Sequence, residues 1–161
     1  MFDHIAFPTP YQTLDIPYPV QLTVKRLDLI HPQISGNKFF KLKYNLLAAQ
    51  QQGFSQVLTF GGAFSNHIAA TAYAAQRFGF QSIGIIRGQE LATQDLNPTL
   101  QTAQDFGMQL HFVSRAEYRL RHEVEYLQQL QQQYPQAFII PEGGSNALAI
   151  QGTQEILSPD D

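Results

Sequence analysis

The sequence contains no cysteine. That excludes disulfides, thiolate zinc sites and a cysteine nucleophile together. Charge is sparse at 14% of residues, and the balance of 10 Lys+Arg against 13 Asp+Glu leaves a net charge of -3. A pI near 5.9 argues against a nucleic-acid binder, which would cluster Lys and Arg and be strongly basic. No apolar run approaches the roughly 18 residues of a membrane-spanning helix, because Lys, Gln, Arg or Gly interrupts each one. The start, MFDHIAFPTPYQTLDIPYP, has Asp3 and several prolines but no basic-then-apolar signal pattern. What remains is a 161-residue chain, 43% hydrophobic and 12% aromatic, with enough apolar material for one real core. The expectation is an acidic, globular, cytoplasmic protein with no nucleic-acid or membrane partner.

The residues to about Pro19, punctuated by Pro and Tyr, are expected to wrap irregularly over something larger, followed by an extended run from Val20 to Ile30. From Lys38 the spacing of Phe39, Leu42, Leu46 and Ala49 predicts a helix that stops at Gly53. A strand–helix alternation follows. Short buried-strand patterns predict four parallel strands near residues 57–60, 82–86, 109–114 and 137–140. Between them lie helical patterns in HIAATAYAAQRF, in LNPTLQTAQDF and, as one unbroken helix, in AEYRLRHEVEYLQQLQQQY. The Gln-rich stretches read as solvated helix faces. The fold class is therefore α/β, a three-layer αβα domain over 54–142 with a four-stranded parallel sheet. Residues 1–53 and 143–161 are expected to be parts of a second domain, their apolar sides exposed and driving self-association or pairing.

In an open parallel sheet, ligands bind beyond the carboxyl ends of the strands. Two loops there, GGAFSNH and PEGGSN, run from a glycine pair straight into a helix, leaving N–H groups free for a carboxylate or phosphate. Ser65 or Asn66 would cap the first helix, and Ser145 or Asn146 the second; plain capping is the simpler reading of each pair. The chain has no GxGxxG after a strand, no GxxxxGK[ST], no HExxH and no GxSxG, so dinucleotide, P-loop, metal and serine-hydrolase readings lose their support. No metal site is expected. Lys38 opens a helix beside Phe39 and Phe40, where the positive helix end and partial burial favour the neutral amine needed for Schiff-base chemistry. Lys41, one turn on, can offer a fixed cation on the same side.

Taken in order, SGNKFFKLKYNLL, FGGAFSNHIAATAYAA and PEGGSNALAIQG resemble the 1-aminocyclopropane-1-carboxylate deaminase and D-cysteine desulfhydrase family, over about Lys25 to Gly152. These are pyridoxal-phosphate enzymes of the tryptophan-synthase-β-like fold. The resemblance implies that Lys38 carries pyridoxal 5'-phosphate covalently and then moves protons, and that Lys41 helps bind its phosphate. It implies that Asn66 hydrogen-bonds the cofactor's phenolic oxygen, and that Ser65, with the N–H groups of Asn66 and His67, grips the substrate carboxylate. Gly143 and Gly144 would line the cofactor from the other side. Lys38 and Ser65 are thus the candidate catalytic residues. Phe40 stands where the family usually has Arg, and His67 where deaminases have Gln and desulfhydrase-like members His.

The implied substrate is a small amino acid, converted to a 2-oxo acid and ammonia. By the resemblance the chain is the N-terminal half of such an enzyme, with residues 1–53 and 143–161 belonging to a large cofactor-binding domain. The family's phosphate loop and pyridine-nitrogen partner would lie beyond Asp161. The expectation is accordingly weak cofactor binding by this chain alone. The implied assembly is a homo-oligomer or a pairing with a complementary C-terminal half. The alternative is a truncated, non-catalytic α/β fragment or one half of a split enzyme.

Overall fold

In the computed structural model, residues 1–157 are described. The chain runs β1 (Tyr11–Leu14), β2 (Leu22–Lys25), α1 (Asn37–Gln51), β3 (Gln56–Gly62), α2 (Asn66–Arg77), β4 (Gln81–Arg87) and α3 (Pro98–Asp105). It continues through β5 (Met108–Val113), α4 (Arg115–Arg119), α5 (Val124–Gln133), β6 (Ala137–Ile139) and α6 (Ala147–Thr153). The four later strands form one parallel sheet in the order β5-β4-β3-β6. Leu58 pairs with Ile83 on one side and Ile139 on the other. The crossover helices dictate this arrangement, since parallel neighbours need a long connection over a face of the sheet. No helix among the described residues is long and apolar enough to cross a membrane.

Strand alternation sorts side chains to two faces. Leu58, Phe60, Ile83 and Ile85 point one way and pack with Tyr118 of α4 and with Tyr126 and Leu130 of α5. Val57 faces the other way, under α1 and α2, in a core with Leu42, Leu46, Ala70 and Ala74. Ile86 joins Ile68 of α2 and Leu100 of α3 on that same side. Each fully buried Leu is worth roughly 1.5–3 kcal/mol relative to exposure, so the two stripes are the main force pressing the layers together.

Three expectations are corrected. The span expected as one helix over AEYRLRHEVEYLQQLQQQY is broken: Glu123 is extended (φ -79, ψ 135) between a short turn at Leu120–His122 and α5. Tertiary bonds fix the break, because Arg121 turns back to the Tyr118 carbonyl (3.1 Å) and donates to Glu142 (2.6 Å). The opening segment is not wholly irregular: β1 and β2 form an antiparallel hairpin, Tyr11 opposite Lys25.

The two ends are also not simply exposed. Phe2 is 0% accessible, its ring 5.1 Å from Phe39 and 4.8 Å from Phe78. Helix α6 lies so close on α1 that a Cβ on Gly152 would collide with the Phe40 carbonyl. Lys43 joins both ends to α1, donating to Asp3 (2.8 Å) and Glu155 (2.7 Å). Apolar surface does remain at Tyr18, Val20 and Ile150. Residues 158–161 of the last expected segment lie outside the described residues.

Candidate active site

Helix α1 begins at Gly36, which has a positive φ of 61° and offers no side-chain cap. Only a residue free of a Cβ takes that backbone cheaply, and the first turn of α1 has no side-chain cap, the Phe39 N–H reaching only the Gly36 carbonyl at 3.3 Å. Lys38 stands in this first turn and lines a cavity of about 450 Å³ together with Gly36, Asn37, Asn66 and Ala69. Its Nζ donates to Asn37 Oδ1 at 3.1 Å. Burial first, and then the Lys41 ammonium, hold the Lys38 amine below the ordinary lysine value. Lys41 points to the other side of the turn, where Nζ donates to Ser145 Oγ at 2.8 Å. That second cavity, about 240 Å³, is lined by Lys41, Ser145, Asn146 and Ala149.

Helix α2 starts between these lysines. Ser65 is its N-cap, accepting from the Ile68 N–H at 3.4 Å, so this serine performs the structural role open to it. Asn66 is exposed at the first position of α2 and faces the Lys38 cavity. The N–H groups of Asn66 and His67 belong to a first turn, where a helix supplies no acceptor.

The His67 imidazole is 2% accessible and faces inward. Its Nε2 lies 2.8 Å from Thr59 Oγ1, and Thr59 donates its single proton to the Ile140 carbonyl at 2.9 Å. Nε2 must therefore carry the hydrogen, and Nδ1 is left as a buried acceptor with no partner in the structure. Burial, reinforced by Lys38 and Lys41, pushes the His67 pKa down to about 3, so the ring is neutral.

The PEGGSN turn closes the arrangement. Gly143 and Gly144 both have positive φ (67° and 70°). A Cβ on Gly144 would stand a tight 3.2 Å from His67 Cε1 and in ordinary contact, 3.5 Å, with Lys41 Cβ, so it is against His67 that the turn needs to be bare. Asn146 caps α6, accepting from the Ala149 N–H at 2.9 Å, and its Nδ2 donates to the buried Asn45 at 2.8 Å. Asn45 returns a bond to Asn146 Oδ1 at 3.2 Å and also donates to the Lys41 carbonyl at 2.8 Å. Thr59 and Asn45 were not singled out in the sequence, and Ser145 was marked only as a possible helix cap, not as a partner of Lys41. Only the SN pair of PEGGSN marked any of this in advance, because a polar residue within a helix or strand carries no sign of its partner.

Of the residues expected at the site, Lys38 and Asn66 share one cavity, and Lys41 lines the other with Ser145. Ser65 lines a third cleft on the far side of the β3–α2 loop. The side chains fit pyridoxal phosphate: a desolvated amine for an aldehyde, a polar amide in the same cavity, and an ammonium in the second cavity for an anion.

No family model matches the chain. Curated relatives do. A Thermotoga maritima protein assigned as a 1-aminocyclopropane-1-carboxylate deaminase is 36% identical over 150 residues, covering 90% of this chain and 47% of the relative. The mitochondrial bifunctional D-cysteine desulfhydrase/1-aminocyclopropane-1-carboxylate deaminase of Arabidopsis thaliana is 31% identical over 163 residues, covering 94% and 40%. Among solved structures, an ACC deaminase homologue superposes with a TM-score of 0.74 at 28% identity, over 92% of this chain and 46% of its own. The chain thus spans under half the length of the relatives it matches.

Proposed function

Because the chain belongs to the family of 1-aminocyclopropane-1-carboxylate deaminases and D-cysteine desulfhydrases, we propose that it holds pyridoxal phosphate at Lys38. The site would convert a small amino acid of that kind to a 2-oxo acid and ammonia, with sulfide released from D-cysteine. The observation that carries this is the Lys38 amine, desolvated and beside Lys41, in one cavity with Asn66. When bound, the cofactor supplies an electron sink for the bonds of the substrate's α-carbon.

The protein's own residues do the rest. Burial and the Lys41 charge lower the Lys38 pKa, so a larger fraction of it is the unprotonated, nucleophilic amine near neutral pH than for an ordinary lysine. With the cofactor in place, a free Lys38 Nζ would be the group able to accept and return a proton beside the substrate. Lys41 and the Ser145 hydroxyl face a pocket where a phosphate oxygen would be neutralised. The N–H groups of Asn66 and His67 offer two donors to the substrate carboxylate at the positive end of α2. His67, neutral and pinned by Thr59, adds no third positive charge beside the two lysines.

The test is spectroscopic. Added pyridoxal phosphate should give a visible absorbance band, and borohydride followed by peptide mapping should place the cofactor on Lys38. Lys38→Ala should lose the band. Lys25→Ala should keep it, as should Lys43→Ala: burial works to lower the Lys43 pKa, but its hydrogen bonds to Asp3 and Glu155 outweigh this and raise it. Survival of the band in Lys38→Ala would refute the assignment. Ammonia and sulfide release from the two candidate substrates then separates deaminase from desulfhydrase activity.

A further inference from the structure

A further concave surface lies apart from the lysine cavity. It is a cleft of about 960 Å³ beyond the carboxyl ends of β3 and β4, walled by Arg87, Arg115, Arg119 and Arg121 against Glu90 and Glu142. A chain with 10 basic residues and a net charge of -3 thus gathers a large share of its cations in one hollow. The carboxylates are already engaged. Glu90 accepts from Arg115 at 2.9 Å, and Glu142 accepts from Arg121 at 2.6 Å and from the Tyr118 hydroxyl at 2.7 Å. Burial works to raise the Glu142 pKa, but Tyr118 and Arg121 outweigh it and keep the carboxylate ionised. Arg87 and Arg119 form no salt bridge among the described residues, although the Arg87 charge also helps lower the Glu142 pKa.

Arg87 is also pre-positioned. Its guanidinium carbon lies 5.7 Å from the centre of the Tyr118 ring, and that of Arg121 lies 4.7 Å from it. Tyr118 is 2% accessible and tied to Glu142, so it is a fixed plate rather than a mobile surface group. On the neighbouring strand Gly62, the register partner of Arg87, has no side chain; a Cβ there would touch Arg87 Nη2 at 3.4 Å.

We propose that this cleft is an anion-binding site, separate from the lysine cavity, that takes a compact oxyanion carrying carboxylate or phosphate. Guanidinium forks match both groups in a two-point manner that a lysine does not offer. The volume suits a small ligand. Four guanidinium groups against two carboxylates leave positive charge for the ligand to neutralise. Because Ser65 lines this cleft and its neighbour Asn66 lines the Lys38 cavity, the anion is either a free oxyanion or the side-chain carboxylate of an acidic amino acid. The assignment does not depend on cofactor chemistry at Lys38.

The experiment uses the full chain without cofactor, titrated with inorganic phosphate, L-aspartate and L-alanine and followed by amide chemical shifts and calorimetry. Shifts at 87 and 115–121 are expected with phosphate or aspartate. Arg119→Gln, at an exposed side chain, should weaken that binding tenfold or more, and Arg87→Gln likewise. Arg77→Gln should leave it within twofold, and Lys41→Gln should remove only phosphate binding at the start of α1. Binding of aspartate without alanine supports the acidic amino acid as the source; binding of phosphate alone supports the free oxyanion. Unchanged affinity in both Arg87 and Arg119 variants, or shifts confined to residues 36–41, overturns the proposal.

Discussion

At the scale of single residues, His67 makes the sharpest prediction, because its tautomer and charge follow from its partners. A histidine with a folded pKa near 3 and an unfolded value of about 6.5 takes up a proton on unfolding anywhere between them. The unfolded state then binds more protons, so stability falls as pH drops through that window, by at most about 1.4 kcal/mol per pH unit. His31, whose pKa burial and Arg77 also lower, acts with the same sign. Urea unfolding at pH 7 and pH 5 should show the loss, and His67→Gln should flatten the slope by about one proton. An unchanged slope in that variant would show that the buried ring is not neutral. None of this was legible in SNH, where the histidine reads only as the second residue of a helix. Its burial depends on Thr59, eight positions earlier on a strand, and on the bare turn at Gly144.

At the scale of elements, the contact of α6 with α1 is decided by Gly152 and by the reciprocal amides of Asn45 and Asn146. Gly152→Ala sets a methyl against the Phe40 carbonyl, a backbone atom that cannot swing away. The helices must separate, and the expected loss is about 1–3 kcal/mol, as for other overpacked contacts. Thermal unfolding should shift downward by roughly 2–4 °C per kcal/mol. Gln151→Ala, at an exposed neighbour, should leave the midpoint nearly unchanged. Equal midpoints for both variants would show that the two helices tolerate more distance than their packing implies. The pattern ALAIQG predicted a helix with an apolar side but not the surface it would meet, since Phe40 and Gly152 lie far apart in the chain.

At the scale of the whole molecule, stability is uneven. β3 is hydrogen-bonded on both sides within the parallel sheet, while the β1–β2 hairpin has only its own two strands and mostly exposed side chains. Amides of Leu58 and Phe60 should therefore exchange slowest and those of 11–25 fastest. Trypsin should cut first at Lys25 or Arg26. The released N-terminal piece should stay attached in native buffer, because Phe2 is enclosed by Phe39 and Phe78. Immediate loss of that piece on gel filtration would show that its anchor is weaker than its burial indicates.

The four strands, their parallel pairing and most helices were readable from periodicity, because a buried strand between helical patterns has few other ways to hide its apolar face. The lysine at the start of α1 and the bare turns before α2 and α6 were readable as well, since each depends on residues adjacent in the chain. The break at Glu123, the hairpin, the neutral His67 and the arginine-walled cleft were not. Each arises where distant side chains meet: Arg121 with Glu142, Tyr11 with Lys25, His67 with Thr59, and Arg87 with Tyr118. Periodicity records which face of an element is buried, but it carries no information about which polar group will stand across the gap. That pairing is settled by the packing of layers, which places Lys41 against Ser145, over a hundred residues away, and leaves Arg87 and Arg119 without a salt bridge among the described residues.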